Sequence, residues 1–203
     1  MVLYQRRKKF KGIETITGAL LSKLPLFPNH YTLASVFLIL FSFYFLVKVQ
    51  VLPAFIFFLT AALFDFIDGA VARYSQRTTK IGAYLDTICD RYVEGIVLLG
   101  FLFLPLPKIW LPSYVWIFLV LFGSLLTTYS KAAAKEKTLL ELEFKRGLVG
   151  RGERIILISL TMILGIFNFL WMAWAIIVLA FLFNIAAIER ISLIIAQAKR
   201  EGK

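Results

Sequence analysis

Apolar residues run along this chain in long blocks, and the polar positions fall mostly between them. Runs at about 31–49, 52–74, 82–105, 110–132, 155–168 (with flanking turns) and 170–194 approach the ~20 apolar residues that cross a bilayer. They predict six transmembrane helices whose apolar surface faces lipid or a neighbouring helix. Pro105 and Pro107 break the chain before the fourth run, and a tight reversal at Asn168 separates the last two. Residues 1–27 read differently. Arg6, Arg7, Lys8, Lys9 and Lys11 precede Ile13, Ile16, Leu20, Leu21 and Leu24 at near-helical intervals. That pattern predicts an amphipathic helix lying on the membrane surface, its cations near anionic headgroups, closed by Pro25 and Pro28. The segment from Lys131 to Arg154 is too charged to span, and an interfacial helical turn is expected within it. The expected fold is therefore all-α: a polytopic membrane protein with six transmembrane helices and an N-terminal interfacial helix. With no internal repeat or low-complexity linker, it reads as one domain over 1–203, made of the 1–27 helix and a 29–200 bundle.

Composition agrees. The chain is 60% hydrophobic, above the ~45–50% of a soluble domain. Its formal net charge of +11 could mean nucleic acid, but the positions of the cations give a topological reading instead. With six spans both termini share a side, and that side collects twenty Lys and Arg. The opposite side holds Lys48 and Lys108, while Arg91 lies within the third span. By the positive-inside rule both termini face the cytoplasm, which predicts a multi-pass protein of the cytoplasmic membrane. The single cysteine, Cys89, excludes an intrachain disulfide. The basic start followed by an interrupted apolar stretch does not read as a cleavable signal peptide.

Candidate chemistry concentrates between Asp65 and Asp90, FDFIDGAVARYSQRTTKIGAYLDTICD. Acids in or near hydrocarbon cost ~2.5–3.5 kcal/mol on insertion scales and mark function. Helical spacing places Asp65, Asp68, Gly69 and Ala72 on one stripe of the second span, and Gly82, Asp86 and Asp90 on one stripe of the third. The short loop between them pairs the spans antiparallel with these stripes facing. Four converging carboxylates call for a cation, and oxygen-only ligands suit Mg²⁺ or Mn²⁺, as a pair of ions. Two such ions clamp phosphoryl oxygens in an in-line displacement. Gly69, Ala72 and Gly82 leave room for a base or phosphate near the backbone, or for close helix packing. Arg73, Arg77 and Lys80 lie just beyond and could hold a diphosphate.

The pattern D-x2-D-G-x2-A-R-x8-G-x3-D-x3-D is complete from Asp65 to Asp90, and it resembles the signature of the CDP-alcohol phosphotransferases. The resemblance implies an integral membrane enzyme that joins a polar alcohol to a CDP-activated lipid and releases CMP. It further implies that Asp65, Asp68 and Asp86 bind metal, and that Asp90 binds the second metal and serves as general base. Gly69 and Arg73 would contact the CDP moiety, with Thr79 near the diphosphate and Ala72 and Gly82 lining the same site. Asn29 and Thr32 match the P-N-x-x-T entry to span one, which borders the nucleotide. A homodimer is implied by the resemblance alone.

The acceptor is sought in the second half. Lys131, Lys135, Arg151, Arg154 and Arg190 lie near the cytoplasmic ends of spans four to six, where they serve as topology markers or form an anion site for a phosphorylated alcohol. Gly150-Arg151-Gly152-Glu153-Arg154 resembles an element of family members that use inositol 1-phosphate, as do Tyr129–Ala132 and Asn184–Arg190. Lys131-Ala132-Ala133-Ala134-Lys135 stands where that subgroup often has K-A-R-A-E. The G-K-x-K-T element common in glycerol 3-phosphate enzymes is missing. A membrane prenyltransferase would need more spans, and a cation transporter would not need the Gly/Ala/Arg pattern. The expected partners are a CDP-linked lipid, a phosphorylated alcohol and membrane lipid, with no nucleic acid.

Overall fold

The computed structural model describes residues 28–74, 79–138 and 148–200, without the side chains of 28–33 and 68–74. Six helices follow one another: α1 (Pro28–Val47), α2 (Val51–Tyr74), α3 (Lys80–Phe101), α4 (Ser113–Glu136), α5 (Arg151–Phe167) and α6 (Phe169–Arg200). Among the described residues the only strand-like pairing is an isolated bridge between Ile109 and Leu111. Each helix coincides with one apolar run of the sequence, with shifted ends. Pro28 opens α1, as proline's fixed φ and missing N–H suit the first helical position. Asn29 therefore lies inside the first turn. Helix α4 extends to Glu136 and makes Lys131 and Lys135 helical. The 1–27 helix lies outside the described residues, as does the 139–147 part of the Lys131–Arg154 segment in which an interfacial turn is expected.

The chain forms two compact units, Val2–Pro105 and Leu106–Lys203. In the first, α1 packs against both α2 and α3. Its seam is a heptad-spaced stripe, Ser35, Ile39, Ser42 and Leu46, facing Val51, Ala54, Phe58 and Ala61 of α2 and Val97, Leu98 and Phe101 of α3. Ser42 Oγ donates to Ala54 O at 2.8 Å, so a polar side chain ties α1 to α2 where water is absent. The turn joining them is a Schellman motif: Gln50 N donates to Phe45 O and Val49 N to Leu46 O. Its left-handed position is filled by Val49 at φ 60°.

In the second unit α6 packs against α4 and α5. Gly123 lets α4 and α6 approach closely, because a Cβ there would lie 2.8 Å from backbone atoms of Phe183 and Asn184. Asn184 Nδ2 crosses the same interface to Leu119 O at 2.9 Å. The reversal between α5 and α6 is a single residue, Asn168, whose Oδ1 accepts from Leu170 N at 2.7 Å and starts α6.

Helices α4 and α6 are long and apolar enough to cross a membrane, and α1 and α2 carry the shorter apolar stretches Ala34–Val47 and Val51–Ile67. Phe37, Phe41, Tyr44, Leu52, Ile56 and Leu63 point outward from α1 and α2, and Phe118, Phe122, Val178 and Phe181 from α4 and α6. Faces this apolar need lipid or another chain against them.

Candidate active site

The acids occupy the continuation of the apolar seam. On α2 the buried stripe Val51, Ala54, Phe58, Ala61 reaches Asp65 at the next heptad step, and Asp65 is half-buried. On α3 the stripe running back from Phe101 and Val97 passes Glu94 to Asp90 and Asp86. Two helices that share an apolar seam at one end thus bring carboxylates together at the other. Asp65, Asp86 and Asp90 each offer an oxygen, and these oxygens all lie within 4.8 Å of one another. At an effective dielectric of about 20, like charges at that separation repel by about 3–4 kcal/mol per pair. A divalent cation among them converts that repulsion into attraction. The all-oxygen donor set fits Mg²⁺ or Mn²⁺, which these carboxylates would hold and which would offset their mutual repulsion. The convergence expected from the spacing is therefore present for three of the four acids. The side chains of Asp68, Gly69, Ala72 and Arg73 on α2, and of Asn29 and Thr32 on α1, lie outside the described residues.

Thr79 and Gly82 are engaged with each other. Thr79 is the extended N-cap of α3, and its Oγ1 accepts from Gly82 N at 2.9 Å. That bond satisfies one of the orphan amides of the helix start and fixes the first turn of α3, the helix that carries Asp86 and Asp90 in its following turns. The threonine O–H remains a donor.

One pair near the acids was not anticipated. Arg91 Nη1 meets Glu94 Oε2 at 2.8 Å, with side-chain exposures of 17% and 10%. Glu94 stands one turn beyond Asp90, and its carboxylate is drawn to Arg91. The Asp86-x3-Asp90-x3-Glu94 spacing carried the signal, since it extends the same stripe by another turn.

The basic residues of the second unit follow the same seam logic with opposite charge. Arg154 is only 4% exposed, on the α5 stripe that continues through Ile158, Thr161, Met162 and Gly165. Arg190 lies on α6 between buried Ala187 and Ile194. Arg154 Nη1 donates to Thr127 Oγ1 at 2.9 Å, and Arg190 Nη1 donates to Thr127 O at 3.1 Å. Arg190 Nη2 also reaches Val149 O at 3.2 Å. The 148–150 segment is held by two carboxylates: Glu189 Oε2 accepts from Leu148 N at 2.7 Å, and Glu153 Oε2 from Gly150 N at 3.1 Å. Lys131 and Arg151 are half-buried and Lys135 is exposed. Of the five cations singled out from the sequence, Arg154 and Arg190 are brought together on Thr127.

Comparison with known proteins bears on both halves. The CDP-alcohol phosphatidyltransferase family matches residues 25–186. The chain is 38% identical over 138 residues to a bifunctional IPC transferase and DIPP synthase of Aquifex aeolicus, covering 66% of this chain. It spans only 31% of that relative's length. It is 32% identical over 158 residues to an archaetidylinositol phosphate synthase of Pyrococcus horikoshii, covering 77% of this chain and 80% of the relative. The fold is that of Mycobacterium tuberculosis phosphatidylinositol phosphate synthase solved with CDP-DAG bound: TM-score 0.74 and 24% identity over 90% of this chain and 93% of that one. The same enzyme in complex with manganese and citrate matches with a TM-score of 0.73 and 22% identity, over 91% of this chain and 88% of that one.

Proposed function

The chain belongs to the CDP-alcohol phosphatidyltransferase family, and we propose that it transfers a lipid phosphoryl group, phosphatidyl or archaetidyl, from a CDP-activated lipid to inositol 1-phosphate, releasing CMP. The observation that carries this reading is the convergence of Asp65, Asp86 and Asp90 oxygens within 4.8 Å. Asp68, one turn beyond Asp65, completes the set. Bound Mg²⁺ or Mn²⁺, two ions in the full site, would supply charge neutralisation at the diphosphate. Asp90 takes the proton from the acceptor hydroxyl, and the resulting oxygen attacks the phosphorus that carries the lipid. The bond from that phosphorus to CMP breaks, and CMP leaves with the electron pair. Gly69, Ala72, Arg73, Thr79 and Gly82, with Asn29 and Thr32, hold the CDP moiety.

The acceptor phosphate is assigned to the cations of the second unit, with Arg154 and Arg190 as its inner pair and Lys131, Lys135 and Arg151 as the further candidates. Two guanidiniums in a protein interior match the planar, bidentate recognition of phosphate. The names of the Pyrococcus and Mycobacterium relatives support inositol phosphate as the acceptor. Glycerol 3-phosphate or another polyol phosphate is the second reading, because the same cations would hold any phosphomonoester.

The distribution of Lys and Arg supports a six-span arrangement in the cytoplasmic membrane, with both termini and the acids on the cytoplasmic side. The reading takes 1–203 as a single membrane domain, and a homodimer is the proposed assembly. The test is CMP release by the purified protein, supplied with Mg²⁺, CDP-lipid and one alcohol at a time: inositol 1-phosphate, glycerol 3-phosphate, inositol or serine. Release with inositol 1-phosphate alone supports the assignment. Release with serine or free inositol would remove the anion site from the mechanism.

A further inference from the structure

We propose that Thr127 is the positioning residue of the acceptor site, the residue that sets the geometry of both guanidiniums and hence the preference for a phosphorylated alcohol. The proposal rests on the reading of Arg154 and Arg190 as phosphate ligands. Thr127 has no place in the sequence signature. It lies on the buried stripe of α4, 1% exposed, among Val120, Gly123, Ser124 and Ala134.

Its hydroxyl is used in both directions. Oγ1 donates to Ser124 O at 2.6 Å, which fixes the side-chain rotamer, and accepts from Arg154 Nη1 at 2.9 Å. Its carbonyl accepts from Arg190 Nη1 at 3.1 Å. One residue of α4 therefore holds an arginine from α5 and another from α6. Val149 O takes the second Nη of Arg190. The carboxylates nearest these cations in sequence, Glu153 and Glu189, bind the backbone amides of Gly150 and Leu148. Among the described residues no carboxylate lies in ion-pair range of Arg190, and its buried Nε–H has no hydrogen-bond partner. The guanidinium is thus oriented by carbonyl oxygens, while the Glu189 and Glu153 charges act on it from beyond ion-pair distance and leave its donors open to an anionic ligand. Valine is nearly isosteric with threonine but lacks the Oγ1 acceptor, so it would release Arg154 from this geometry while filling the same space.

The experiment is steady-state CMP release by full-length protein with Mg²⁺, CDP-lipid and inositol 1-phosphate, together with competitive inhibition by inorganic sulfate. Thr127→Val should raise the acceptor KM about tenfold, the scale of one lost charge-assisted hydrogen bond. The sulfate inhibition constant should rise by the same factor, with kcat and the CDP-lipid KM within about twofold of the parent. Thr127→Ser, which keeps the hydroxyl, should restore both constants. If Thr127→Val does not fold, Thr127→Ala, which overfills nothing, carries the same comparison. An unchanged acceptor KM in Thr127→Val beside a raised one in Arg154→Ala would overturn the role of Thr127 alone. Unchanged values in both would overturn the anion site itself. A serine variant as impaired as the valine one, or equal losses in both substrates, would make Thr127 a packing residue only.

Discussion

Asp65 of α2 and Asp86 of α3 bring carboxylate oxygens within 4.8 Å of each other, with an oxygen of Asp90 inside the same distance. The helices that carry them share the apolar seam of α1, so the carboxylates are held together by packing elsewhere along the bundle. Metal binding should therefore stabilise the fold. Mn²⁺ at about a hundred times its dissociation constant should add about 2.7 kcal/mol, read as a rise in melting temperature in detergent. Asp65→Asn and Asp86→Asn should each lose most of that rise, and a rise kept in both would detach the cluster from metal binding.

Chelation of divalent cations should abolish CMP release, with recovery on adding Mg²⁺ or Mn²⁺. Asp90→Asn should lower turnover by about 10²–10⁴-fold, the usual contribution of a general base, while CDP-lipid binding is largely kept. Appreciable residual turnover would remove Asp90 as base.

The Arg91–Glu94 pair is mostly enclosed, so removing one partner takes away a charge-assisted hydrogen bond from a largely desolvated setting. Arg91→Ala should cost about 1.5–3 kcal/mol, and Arg91→Met combined with Glu94→Met should recover part of it. Thermal unfolding of the two variants settles the comparison; equal stability would class the pair as a surface ion pair.

Val49 holds a left-handed conformation at φ 60°, costly for a β-branched residue and free for glycine. Val49→Gly should raise stability by about 1 kcal/mol. Its side chain is 42% exposed, so little packing is lost. A fall in melting temperature would count against the Schellman turn.

Gly123→Ala should do the opposite. Its new Cβ would meet the α6 backbone at 2.8 Å, where no flexible side chain can yield. Separating α4 from α6 should cost about 1–3 kcal/mol and stretch the Asn184–Leu119 bond. Retained folded yield and melting temperature would show that the helices can part freely.

Much of this protein is legible along its chain. Six apolar runs became six helices because a helix satisfies its backbone bonds internally, and α4 and α6 are long and apolar enough to cross a membrane. The D-x2-D-G-x2-A-R-x8-G-x3-D-x3-D spacing placed acids on facing stripes, since i, i+4 and i+7 positions share a helix face whatever the fold. Spacing could not decide which polar side chains would meet across helices. The Arg91–Glu94 pair depends on rotamers within one turn of α3. The meeting of Arg154 and Arg190 on Thr127 joins three helices, and nothing in the pattern around Thr127 separates it from Ser124 or Ser130. A sequence records which face of a helix a residue occupies. Which partner fills the space opposite is settled only when the helices pack, and in this chain packing selects Thr127 as the anchor for both arginines.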